Sequence, residues 1–147
     1  MPAVHGSHTK SIDIEAPPSR VFQCFSTLEL RHKWFRVPGS AEHTLDFRVG
    51  GFERTSGDFT ALDHAERIET VTQFIDIVPN ERIVYSYALT VDRLRSASLV
   101  TITLTGSTHL EYHEQYTSFD PESENDVRHI EGGTRLLLNG LKVVAEG

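Results

Sequence analysis

The stretch His109 to Ser118, HLEYHEQYTS, places His109, Glu111, His113 and Glu114 within six positions. Imidazoles and carboxylates at this density are the raw material of metal sites and of acid–base catalysis. The segment reads as a β-strand, in which alternate side chains share a face. His109, Glu111 and His113 then share one face; Leu110, Tyr112, Glu114 and Tyr116 share the other. Two histidines two apart on a strand lie roughly 7 Å apart at the backbone and could grip one metal with Glu111 as third ligand. The Leu110/Tyr112/Tyr116 face is the better core candidate, so the histidine face is expected to be solvated. No metal and no cofactor are expected. Glu114 is different, because it points with the tyrosines. A carboxylate there needs a partner or a wet cavity, since burying an unpaired charge is costly. The blander reading places Glu114 near the strand end, where the sheet opens to water.

Other chemistry-bearing residues offer less. The chain lacks GxSxG, HExxH and a phosphate-binding glycine loop, so no catalytic motif marks it as an enzyme. Cys24, beside Phe22 and Phe25, reads as a small buried hydrophobe, with nothing to stabilise a thiolate. His32 in RHKW is expected on a helix surface. Trp34, Phe35, Tyr85 and Tyr87 are expected in the core or lining a cavity.

These residues must be held by the rest of a 147-residue chain, a length that suits one domain, 1–147, with one core. Hydrophobic content of 38% and charged content of 24% are those of an ordinary globular protein. No run of 18 apolar residues is present to span a membrane, and the N-terminus has no signal-like apolar segment. A lone cysteine fits a reducing compartment, so a cytoplasmic location is expected. A net charge of −7 without a Lys/Arg cluster argues against a nucleic-acid partner.

SIDIEA (11–16) alternates as a half-buried strand does, and Pro17-Pro18 stop it and open a helix carrying Val21, Phe22 and Phe25. Thr27 is a candidate N-cap for a second short helix through Trp34. HTLDFRVGGFERT reads as two strands about a tight Gly50-Gly51 turn. The acidic SGDFTALDHAERIE (56–69) suggests an interrupted strand. Residues 67–91 read as a hairpin about Val78-Pro79-Asn80, and SLVTITL with HLEYHEQYTSF as another across Thr105-Gly106-Ser107. DPESENDVR (120–128) reads as a loop or a frayed helix start. In the last segment Ile130, Thr134, Leu137, Leu141 and Val144 share a helical face, with Leu136 and Val143 off that stripe. Strands in hairpins plus one terminal helix make a two-layer α+β domain.

Several stretches resemble one family. IEAPPSRVFQCFSTLELRHKWF resembles the opening of START-like (SRPBCC, birch-pollen-allergen-like) proteins. DFRVGG, VPNERIVYSY, HEQYTSF and EGGTRLLLNGL are similar, in order, to motifs of the branch named after the activator of the heat-shock-protein ATPase. The second helix departs from that pattern, opening with STLE where relatives often carry Asp-Pro. The resemblance implies a helix-grip fold: a curved antiparallel sheet of six to seven strands wrapped around a long C-terminal helix, with two short helices after the first strand. It implies a cavity between sheet and helix for a hydrophobic small molecule or lipid-like ligand. The expected lining residues are Trp34, Phe47, Phe74, Tyr85, Tyr87, Tyr112, Glu114, Tyr116, Leu137 and Leu141. Family relatives also include cyclase or dehydratase enzymes, for which Glu114 is the catalytic candidate, and a chaperone-stimulating domain. A chaperone or a second copy of the chain is therefore a further partner to consider. Fold alone does not choose among these.

Overall fold

The computed structural model describes residues 3–35, 40–61, 64–92, 94–119 and 126–147; within these, side chains are described except at 40–41, 59–61, 64–66, 94 and 126–132. The chain begins with strand β1 (Val4–Asp13), then helices α1 (Pro18–Ser26) and α2 (Leu28–Trp34). Strands β2 (Ser40–Leu45), β3 (Phe52–Ala61), β4 (His64–Val78), β5 (Arg82–Val91), β6 (Leu94–Thr105) and β7 (His109–Ser118) follow, and helix α3 (Asp126–Glu146) closes the chain. Together they form the α+β helix-grip architecture.

Each local element has a sequence cause. Pro18 starts α1, where its missing N–H costs nothing. Thr27 stands at the N-cap of α2, although its side chain makes no capping bond. The β4–β5 turn puts Asn80 at φ 63° and the β6–β7 turn puts Gly106 at φ 62°, left-handed conformations suited to those residue types. The seven strands pair antiparallel in one curved sheet of order β1-β7-β6-β5-β4-β3-β2. The first strand thus closes onto the last, so β1 lies beside β7 with His8 opposite Glu114.

The register lines up inward side chains in rows across the sheet. One row runs Glu53, Thr72, Tyr87, Ser98, Tyr116 and Gly6 from β3 to β1. The next carries Phe74, Tyr85, Val100, Glu114 and His8. Gly6 leaves room for Tyr116, because a Cβ there would lie 2.3 Å from the tyrosine hydroxyl. Val21, Cys24 and Phe25 of α1, Trp34 of α2, and Leu138, Leu141 and Ala145 of α3 pack in the same core as these rows. Several hydrogen bonds hold α3 to the start of the chain, among them the Glu15 N–H donating to Glu146 Oε2 at 2.8 Å. The Arg20 guanidinium donates to the Val144 and Ala145 carbonyls at the helix C-terminus, and Lys142 Nζ donates to the Asp13 carbonyl.

Four expectations need correction. β1 runs from Val4 to Asp13, not from Ser11 to Ala16. Its burial alternates, but polar residues fill both faces, which hid it from a search for apolar alternation. Gly50-Gly51 does not form a two-residue hairpin: residues 46–51 connect β2 to β3, Leu45 pairs with Glu53, and Asp46 to Val49 lie outside the strands. The segment 56–69 is not an interrupted strand, since β3 reaches Ala61 and β4 resumes at His64 in continuous register. α3 buries Leu138 beside Thr134, Leu141 and Ala145, while Leu137 and Val144 are half-buried and Leu136 and Val143 are exposed. The acidic 120–125 stretch and the Ile130 side chain lie outside the described residues.

The turn before β3 is tight for a steric reason. A Cβ on Gly51 would stand 2.1 Å from the Asp46 carbonyl oxygen, which is backbone and cannot swing aside. Gly51→Ala is therefore expected to lower stability by about 1–3 kcal/mol, read as a lower midpoint in urea unfolding with an unchanged slope.

Candidate functional site

β7 presents its side chains as alternation requires. Leu110, Tyr112, Glu114, Tyr116 and Ser118 are buried, while His109 and Glu111 are exposed and His113 is half-buried. The histidine face is the wet face. His109 Nδ1 lies 2.8 Å from Asp13 Oδ1, and His113 Nδ1 lies 2.7 Å from Thr9 Oγ1, so both rings bond across to β1 and not to each other.

Glu114 does not sit at a strand end open to water. It lies mid-strand, 5% exposed, because β1 covers its edge. Its Oε1 is 3.5 Å from His8 Nε2 and accepts from Thr134 Oγ1 at 3.4 Å. The threonine hydroxyl is also 3.2 Å from His8 Nε2. With that hydroxyl donating to Glu114, it accepts from His8 Nε2–H. His8 Nδ1 is buried and has no partner among the described residues. The imidazole lies between Tyr112 and Tyr116, with ring centres at 6.3 and 6.2 Å.

The neighbouring strands add phenols. The Tyr112 and Tyr85 hydroxyls interact through a side-chain hydrogen bond. Burial pushes the Tyr85 phenol up to about 12, partly offset by the Arg31 guanidinium. Burial also pushes Tyr87 and Tyr112 well above the ordinary phenol range, and the neighbouring Tyr85 and the Glu114 carboxylate add to it. A titration followed at 295 nm is thus expected to show Tyr85, Tyr87 and Tyr112 still protonated as pH passes the ordinary value near 10. Because their folded values are raised, stability holds below about pH 10 and declines above it, where only the unfolded chain ionises them.

On the other side lies a buried ion pair absent from the sequence reading. Arg31 of α2 and Glu53 of β3 are both fully buried. Arg31 Nε donates to Glu53 Oε2 at 2.9 Å and Nη2 to Oε1 at 2.8 Å. His43 Nε2 lies 2.9 Å from Oε2, and its Nδ1 lies 2.9 Å from His32 Nδ1, carrying the chain outward. His32 is therefore half-buried, not on an open helix surface. Burial alone would raise the Glu53 carboxyl; the Arg31 charge and the bonds from His43 and Arg31 more than offset this and hold it below the ordinary range. Burial likewise pulls Arg31 down, and Glu53 more than restores it, so both stay charged. Phe35, Trp34 and Phe25 surround the guanidinium, with ring centres 3.8, 4.6 and 5.3 Å from its carbon.

The expected lining residues separate into two groups. Tyr85, Tyr87, Tyr112, Glu114 and Tyr116 share the inward sheet rows. Leu141 is fully buried on α3, and Leu137 is half-buried beside it. Phe74 shares the inward row with Tyr85, 6.1 Å away between ring centres, and packs edge-to-face on Phe47 at 4.9 Å, with Phe22 against Phe47. Trp34 packs on Phe25 and donates its indole N–H to the Cys24 carbonyl at 2.9 Å, a structural role. Cys24 is wholly buried, and burial raises its thiol. His8, Arg31, Glu53 and Thr134 were missed. For His8 one signal existed: stepping back by twos from Ile12 gives Lys10, His8 and Gly6 on the same face. A separate groove of about 620 Å³ opens to solvent between residues 13–17 and 105–109, and none of the inward polar groups lines it. No helix among the described residues is long and apolar enough to cross a membrane.

No curated protein matches the chain. Among solved structures, an uncharacterised protein from Rhizobium leguminosarum is 32% identical with a TM-score of 0.87, over 99% of this chain and 97% of that one. The Mll3558 protein from Rhizobium loti is 34% identical with a TM-score of 0.82, over 99% and 98%. A protein of unknown function from Staphylococcus aureus, SA2116, shares the fold at 14% identity and a TM-score of 0.72, over 98% and 95%. The family described as activator of Hsp90 ATPase homolog 1-like protein matches residues 15–146, and the chain belongs to that family.

Proposed function

We propose that this protein binds a small, mainly apolar molecule between the concave face of the sheet and α3. The observation that carries this reading is the polar set turned into an apolar core. Tyr85, Tyr87, Tyr112, Glu114 and His8 face inward, and His8 Nδ1 is buried with no protein partner among the described residues. Buried polar groups are almost always satisfied, so an orphan of this kind points to a guest. Apolar burial would supply affinity and the polar groups orientation. A thermal-shift screen across a broad library of apolar compounds tests it. Saturable rises in melting temperature are expected; a library that leaves the melt unmoved would count against the reading.

A second reading is favoured by one feature, the Glu114–Thr134–His8 contact set. A carboxylate beside an imidazole can take and return a proton, as a cyclase or dehydratase requires. In that role Glu114→Gln abolishes turnover of a candidate substrate while binding persists. Turnover at the parent rate would remove Glu114 from any catalytic role.

A further inference from the structure

Glu114 is engaged at one oxygen only. Thr134 Oγ1 and His8 Nε2 both approach Oε1, at 3.4 and 3.5 Å, and no hydrogen bond reaches Oε2. The sealed side-chain polar atoms without a partner among the described residues are His8 Nδ1, Arg31 Nη1 and Thr72 Oγ1. Oε2 has no partner either, yet it is not one of these, so an opening reaches it. Glu114 lies mid-strand with Val100 of β6 on one side and His8 of β1 on the other, so that opening is on the inward face. A carboxylate oxygen that is reachable, unpaired and part of a residue only 5% exposed is a place for a donor.

The described residues bring this carboxylate no countercharge. The Arg31 guanidinium is spent on Glu53 through two hydrogen bonds. Lys10, two residues from His8 on the same face of β1, has a partner of its own, and that partner is not Glu114. Charging His8 would put an N–H on Nδ1, where no acceptor stands, so the imidazole is a poor countercharge. A buried carboxylate left without one is costly. The Tyr112 and Tyr116 rings flank His8, and the Glu114 charge helps to raise the Tyr87 and Tyr112 phenols, so its field extends along the inward rows. Aromatic rings and a carboxylate are the groups that receive an ammonium. We propose that the interior takes an apolar amine, its ammonium donating to Glu114 Oε2 and its apolar body lying between the sheet and α3. This rests on the reading of the interior as a ligand site, and it names the class of ligand.

The test compares three probes of one shape that differ in the terminal group: 2-phenylethylamine, charged at neutral pH, 2-phenylethanol and propylbenzene. Affinities are measured by calorimetry on the parent and on Glu114→Gln, which keeps the side-chain shape and removes the charge. The parent is expected to hold the amine at least about tenfold more tightly than propylbenzene, the worth of one hydrogen bond to a charged group, and more tightly than the alcohol. The preference should persist when salt is raised to about 0.5 M, as a buried contact does. Glu114→Gln should abolish it while propylbenzene binds as before, which reports an intact interior. Equal affinity for amine and hydrocarbon would sink the ammonium site and leave the ligand site standing. An alcohol held as tightly as the amine would show that Oε2 takes a donor without a charge, and the amine assignment would fall. A preference that survives Glu114→Gln, or that salt removes, would place the amine on another carboxylate of this chain of net charge −7 and overturn the assignment. If no probe binds, both readings fall.

Discussion

Arg31→Met is expected to lower stability by about 3–5 kcal/mol, because it strands the Glu53 carboxylate in a dry interior. The partner left behind is fully buried, and His43 alone then supports it. Replacing both partners, Arg31→Met with Glu53→Leu, should recover most of that loss, since an apolar pair of similar volume needs no desolvation of charge. Chemical denaturation of the parent, single and double variants reads the difference, and a single variant as stable as the parent would refute the account of the pair. The same pair sets the acid limb. Glu53 has a folded value below its unfolded one, so its contribution is intact above the unfolded value of about 4.3 and is lost as pH falls below it toward the folded value. The double variant should therefore show a shallower fall in stability below about pH 4.3, by up to one proton.

Leu141→Ala has the next largest effect and joins stability to function. Leu141 is fully buried, packed in the core that the sheet rows share with α3. Its truncation should cost about 2–5 kcal/mol through lost burial and an unfilled cavity. The space is lined by apolar and aromatic groups, and a dry cavity of this kind takes up benzene-like molecules. Isopropylbenzene should then raise the melting temperature of Leu141→Ala more than that of the parent. A loss below about 1 kcal/mol, outside the range for a core Leu→Ala, would show that α3 does not press on the sheet as described.

Much of the fold was legible because its signals are local. Pro17-Pro18, the Asn80 and Gly106 turns and the alternation of β7 each settle an element within a few residues, and the family motifs order them. What escaped was tertiary. In β3 the hydrophobic residue Phe52 faces outward at 38% exposure while Glu53 beside it is wholly buried. In β4 Val71 and Ile75 are exposed while Thr70 and Thr72 are buried. Hydrophobicity assigns the faces of these strands the wrong way round, because the inward face carries Glu53, Thr55, Thr70 and Thr72 and the outward face is only partly wet. The Arg31–Glu53 partnership joins α2 to β3 and cannot be inferred from either segment alone. Glu114 was legible as inward-facing from its neighbours Tyr112 and Tyr116. Its partner His8 was not, because β1 meets β7 only through closure of the first strand onto the last.

The central claim is that the space between sheet and α3 holds a molecule. Native mass spectrometry of the protein as purified, compared with the mass after denaturation, tests it most directly. A ligand held between sheet and α3 would appear as a non-covalent adduct that is lost on denaturation, or as one acquired on incubation with small apolar aromatic compounds. A protein that stays bare after purification and after incubation would contradict it.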